Sequence, residues 1–205
     1  MIKQFTLCLT AICLVVIGIT TATPTADALG VAPWNEGNAI TDTAAIVSTW
    51  QSNGYSPASL TTSSATRSAI LDYWQNDQYL LWNNHIGHID TADHDGAPAY
   101  GVFAYNQEIS AVQIAELDPW KGLASSYVFM NGCNSYAEPL NSAFQANNVD
   151  MYIGGVRILP LYSSEDTSMD FWHYLLVHDQ DPIDALVSAV SDNGTGGMYS
   201  IMLDD

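Results

Sequence analysis

The sequence predicts an α/β domain in which a mostly parallel sheet is flanked by helices. Three observations lead there. Apolar runs that suit buried strands alternate with helical segments through most of the chain. The length of 205 residues suits one domain with a proper core. Apolar residues make up 48% of the chain, which places it among sequences that fold rather than stay disordered.

The first 28 residues are set apart from that fold. Lys3 precedes an apolar stretch over residues 5–19, and Ala26-Asp27-Ala28 offers a small-residue cleavage site. Residues 1–28 therefore read as a secretory signal peptide and 29–205 as the folded domain. The apolar stretch is shorter than the roughly 20 residues that a membrane span needs. The expected location is secreted or at the cell surface, with no membrane contact beyond the signal segment.

The elements follow in order. Residues 42–55 place Ala45, Ile46, Thr49 and Trp50 at helical spacing, with Thr41 or Asp42 as N-cap and Gly54 as the stop. Residues 63–76 predict a second helix with Ile70, Tyr73 and Trp74 on one face. Residues 78–87, "QYLLWNNHIG", form a short apolar run ending in polar residues, as in a buried parallel strand that opens into a loop. Residues 99–106 suit a strand or hairpin arm, and 109–117 a short helix before Asp118-Pro119. Residues 126–133, "SYVFMNGC", predict a strand that stops at Gly132-Cys133. Residues 138–148 read as a helix with Pro139 early, where proline is tolerated. Residues 149–156 supply the next strand, and 163–179 and 181–193 two more helices. Ser163 or Ser164 is placed to cap the first of these, and Asp181-Pro182 to open the second.

Charge excludes some partners. The formal net charge is −18, and after the signal segment only Arg67, Lys121 and Arg157 are basic. Such a chain is not expected to bind nucleic acid or an anionic membrane through its net field. Cys8 and Cys13 lie in the signal segment, so Cys133 is the last cysteine of the domain and no internal disulfide can form. A lone thiol in an exported protein is either a small buried apolar residue or a reactive group.

In parallel sheets, sites form at the carboxyl ends of strands. Both "NNHIGH" and "NGC" occupy such ends, separated by about 45 residues and one helical segment. His85 or His88 could then reach Cys133 and help make it a thiolate, the form in which a thiol is a nucleophile. A metal reading uses His85, His88, Asp90, Asp93, His94 and Asp95. It is weaker, because the loop lacks the H-E-x-x-H pattern and "DHDG" lacks the spaced oxygens and closing glutamate of a calcium loop. "DHDG" is most simply an exposed turn. No metal or cofactor is expected. A serine-hydrolase elbow is absent from the sequence, and His173 and His178 fall on or just after a late helix.

The pattern around these residues resembles the gingipain and caspase-like cysteine peptidases. "LLWNNHIGHI" looks like their strand followed by N-x-x-G-H, and "YVFMNGCNS" like the strand that ends at their nucleophile. "PLNSAFQANNVDMYIGG" is similar to the family's next helix and strand, and "FWHYLLVHDQDPIDALVSAV" to its closing helices. Upstream, "NEGNAITDTAAIVSTWQSNGY" and "ATRSAILDYW" resemble its opening, so the likeness runs over residues 37–191.

The resemblance implies a three-layer caspase-like sandwich and an exported cysteine endopeptidase with peptide or protein substrates. It makes His88 the base, Cys133 the nucleophile, and the backbone N–H groups of Ile89 and Cys133 the oxyanion donors. Gly87, Gly132, Asn84 and His85 would support them, and Asp90 is a candidate pocket residue for a basic P1 side chain. Two departures stand out. Ile89 occupies a position where the family has glycine. The opening strand is reduced to something like "ALGVA" and is expected to be very short or lost. Both favour the alternative, a catalytically inactive relative that serves as a cell-surface or binding domain.

Overall fold

A computed structural model describes residues 27–34, 37–76, 81–85 and 101–204 of the chain. In chain order the elements are β1 (Ala28–Ala32), α1 (Ala39–Ser52), β2 (Pro57–Thr61), α2 (Arg67–Asn76), β3 (Leu81–His85), β4 (Gly101–Phe103) and β5 (Glu108–Ser110). There follow α3 (Ala111–Ala115), β6 (Tyr127–Asn131), α4 (Glu138–Gln145), β7 (Met151–Gly155), α5 (Leu161–Leu176), α6 (Pro182–Asp192) and β8 (Tyr199–Leu203). The main sheet has the order β2-β1-β3-β6-β7-β8. The pairings from β2 across to β7 are parallel, and β8 is antiparallel to β7. β4 and β5 form a separate antiparallel hairpin.

Side chains alternate across a strand, and that period sorts the core into two layers. Leu29, Val31, Val128, Met130 and Tyr152 point to one face. There they meet Ile70 and Trp74 of α2, Ile114 of α3, and Leu140 and Phe144 of α4. Ala28, Phe129, Met151 and Ile153 point to the other face, against Ile46 and Trp50 of α1, Phe171 and Trp172 of α5, and Ala185 of α6. Both faces of the central strands are covered, which explains their unbroken apolar runs. Edge-to-face ring pairs lock each layer: Trp74–Phe144 at 5.7 Å on one side and Trp50–Trp172 at 5.2 Å on the other. Asn83 is a polar residue of β3 buried in this core, and its Oδ1 accepts from Trp172 Nε1 at 3.0 Å.

The structure corrects several expectations. β1 is neither lost nor marginal: its five residues are all buried, and it lies between β2 and β3. Its small residues disguise a central strand, because α1 packs directly on it. A Cβ on Gly30 would sit 2.8 Å from Thr43 Cγ2. β2 and β8, the two edge strands, were not foreseen. α1 starts earlier than expected, with Asn38 as N-cap, and Asp42 is a buried first-turn residue rather than the cap. α5 starts after Pro160, so Ser163 and Ser164 lie inside it. Asp181 caps α6 as expected, accepting from Ile183 N at 3.0 Å and Asp184 N at 3.1 Å. The left-handed Gly54 follows α1, as its stop.

The expected signal segment lies outside the described residues up to residue 26. Asp27, at the entrance to β1, accepts from Ser56 N at 2.6 Å. Among the described residues, no helix is long and apolar enough to cross a membrane.

Candidate active site

The carboxyl ends of β3 and β6 are neighbours. Their parallel register sets His85 opposite Asn131. From His85 the chain leads towards Gly87 and His88, and from Asn131 it leads through Gly132 to Cys133. Gly87, His88, Ile89 and Asp90 lie outside the described residues, as do Asp93, His94 and Asp95 of the metal reading. Asn84 and His85 are placed on β3 by their backbone. Among the described residues, no group of three or more His, Cys, Asp or Glu could hold a metal ion.

The turn that carries Cys133 is fixed from several sides. Gly132 N donates to Met130 O at 3.0 Å and Ser135 N to Gly132 O at 3.2 Å. The left-handed residue of this turn is Asn134, with φ 53°, and asparagine tolerates that region better than most residues. Two bonds tie the turn to the end of β7 and the segment after it: Tyr136 N to Gly155 O at 3.0 Å, and Asn134 N to Arg157 O at 3.2 Å. Buried Ser135 joins both strands through one hydroxyl. Its Oγ donates to Met130 O at 2.8 Å and accepts from Gly155 N at 2.8 Å. β7 approaches so closely that a Cβ on Gly155 would sit 2.6 Å from Gly132 O.

Cys133 itself is half-buried, and its Sγ accepts from Leu159 N at 3.3 Å. Beneath it lies a polar network. Tyr199 OH donates to Asn131 Oδ1 at 2.8 Å and lies 3.3 Å from Ser164 O, while Asn131 Nδ2 donates to that same carbonyl at 2.9 Å. Burial pushes the Tyr199 phenol well above its usual range; the Ser164 side chain opposes the rise and the neighbouring Cys133 adds to it. The phenol therefore stays a neutral donor.

The rim beside the thiol is apolar. Val156, Ile158, Leu161 and Tyr162 follow β7 and are exposed, Ile158 at 77%. Sequence reasoning missed Asn131, Ser135, Leu159, Ser164 and Tyr199 as parts of this site. The Gly154-Gly155 pair at the end of β7 was the one available signal, since paired glycines in a strand often mark close backbone approach.

A three-layer α/β domain with a cysteine at the carboxyl end of a central strand matches a known class of fold. The chain is similar to the crystal structure of the Arg-specific cysteine proteinase gingipain R, with TM-score 0.64 and 10% identity over 86% of this chain. It is also similar to the complex of the pro- and mature domains of that proteinase from Porphyromonas gingivalis, with TM-score 0.61 and 11% identity over 87% of this chain. It spans 46% and 47% of those two chains. The likeness shows the fold, which is gingipain-like. No protein-family model matches the sequence, and no curated protein sequence matches it.

Proposed function

We propose that this protein is an exported cysteine endopeptidase using a dyad of His88 and Cys133. The observation that carries this reading is Cys133 at the carboxyl end of β6, beside the end of β3 that leads to Gly87-His88, within a fold resembling that of a cysteine proteinase. In the proposed reaction His88 takes the thiol proton and Cys133 Sγ adds to the scissile carbonyl. The backbone N–H groups of Ile89 and Cys133 hold the oxyanion, the kind of preorganised donor that supplies much of such catalysis. The C–N bond breaks, the amine leaves with the proton from His88, and a thioester remains. Water, deprotonated by His88, then hydrolyses the thioester and restores the thiol.

Specificity is read from charge. Asp90 lies just past the histidine, and the chain is strongly acidic, so the preferred P1 residue is arginine or lysine. The exposed Val156, Ile158 and Tyr162 suit apolar side chains elsewhere along the peptide. Fluorogenic peptides that vary only at P1 test the reading. Arginine or lysine should be cleaved fastest, in a reaction stopped by stoichiometric alkylation of Cys133. Preference for aspartate would refute the pocket, and hydrolysis that survives alkylation would refute the nucleophile.

A second reading rests on one observation, Ile89 where the family has glycine. A β-branched residue there crowds an incoming carbonyl. On that reading the domain binds peptides at the cell surface without cleaving them. In either case the leader is read as ending before Asp27, because Asp27 and Ala28 belong to the fold.

A further inference from the structure

Behind the thiol turn, two carboxyl groups meet between α1 and α5. Asp42 lies in the first turn of α1 and Glu165 early in α5. They are 6% and 3% exposed, and they hydrogen-bond to each other. The ion pair among the described residues joins Lys121 to Asp118, away from this pair. Among the described residues, the charged groups that face Glu165 are Asp42 from α1 and Asp166 beside it on α5, both acidic. Two touching carboxylates cannot both ionise cheaply out of water, so the pair keeps a proton. Asp42 Oδ2 is buried with no amide, hydroxyl or ring donor among the described residues, and a carboxyl proton from Glu165 suits it. The positive end of the α1 dipole favours charge on Asp42, which leaves the proton on Glu165.

Glu165 also stands between two loops. Its Oε2 accepts from Asn38 N at 3.0 Å, and Gly37 packs so tightly on it that a Cβ there would sit 2.9 Å from Oε1. One residue earlier, the carbonyl of Ser164 takes the hydrogen bonds of Asn131 and Tyr199 beneath Cys133. A single turn of α5 therefore ties the β1–α1 loop to the thiol turn.

We propose that Glu165 is a positioning residue: the proton it shares with Asp42 latches the start of α5 against α1, and its loss loosens the support under Cys133. The catalytic consequence rests on the cysteine-peptidase reading; the latch itself is read without a substrate. Burial, with Asp42 and Asp166 adding and the Asn38 N–H opposing, raises the Glu165 carboxyl from 4.5 to about 7. A raised folded value means that the latch is fully present below the unfolded value and is lost as pH rises through about 7. The site is thus tightest in acid.

Infrared titration of the wild-type full chain from about pH 5.5 to about 8.5 is the test, with Glu165→Gln as the comparison. The latch predicts a protonated-carboxyl band in the wild type that disappears near neutral pH and is missing in Glu165→Gln. The melting temperature should fall over the same range in the wild type and lose most of that slope in the variant. Amide exchange in residues 131–136 should lose protection, beyond its intrinsic pH dependence, as the band disappears. Absence of the band in the wild type overturns the latch, and that titration decides the matter even if the variant fails to fold. A variant with the wild-type slope also overturns it. Exchange that changes in residues 37–42 but not in 131–136 overturns the link to the thiol. Absent peptide hydrolysis with all three signals intact would strike the peptidase reading alone.

Discussion

Replacing Cys133 with alanine is expected to lower kcat/KM for peptide hydrolysis by about 10³-fold or more, roughly 4 kcal/mol of transition-state stabilisation. The loss is large because no other group can form the thioester. His88→Ala should cost a similar factor, since the base and the nucleophile act as one unit. The double variant should then be little worse than either single one, because groups that act together are strongly non-additive. Activities measured with the fastest P1 peptide decide this. A Cys133→Ala protein that retains hydrolysis would remove the cysteine from the mechanism, and fully additive losses would separate it from His88.

The second large effect is structural and starts at a hydrogen atom. Gly155 ends β7 where the strand touches the thiol turn, and a Cβ there would lie 2.6 Å from Gly132 O and 3.0 Å from Leu159 Cδ1. Gly155→Ala must push β7 and the turn apart. The displaced contacts include Gly155 N to Ser135 Oγ, Tyr136 N to Gly155 O, and Leu159 N to Cys133 Sγ. Overpacking of this kind costs about 1–3 kcal/mol, or roughly 2–12 °C in melting temperature for a domain of this size. Activity should fall more than the folded fraction explains, because the turn itself is displaced. Gly196→Ala is the control, since a Cβ there meets nothing within 4 Å. Equal melting temperatures for the two variants would show that the close approach is not needed.

Much of the fold was legible because the central strands are covered on both faces. β3, β6 and β7 stand out as short apolar runs, and the helices show their period. The edge strands did not stand out. β2 buries only Leu60, and β8 has no fully buried residue, so neither carries a continuous apolar run. β1 was underestimated for the opposite reason. Its alanines and glycine are small because α1 lies directly on them, and composition alone reads small residues as weak strand. Helix starts were misplaced where polar side chains had other work. Asp42 meets Glu165, and Ser164 lends its carbonyl to Asn131 and Tyr199.

The site was legible in part. A cysteine and a histidine-bearing segment at the ends of two apolar runs could be placed side by side from the alternation of strands and helices. The network that supports the thiol could not. Tyr199 reaches Asn131 across 68 residues of sequence, and Asn131 reaches Ser164 across 33. No local pattern encodes such pairings. They arise from the sheet order, which sets β8 next to β7 and β7 next to β6.

The central claim is that Cys133 is an activated nucleophile assisted by His88. The most direct measurement is the rate of iodoacetamide labelling of Cys133 against pH, in the wild-type protein and in His88→Ala. The account predicts labelling near neutral pH that is much faster than that of an ordinary free cysteine, and loss of that reactivity in His88→Ala. Slow labelling in both proteins, rising only at alkaline pH, would contradict it and leave Cys133 as a structural residue of a binding domain.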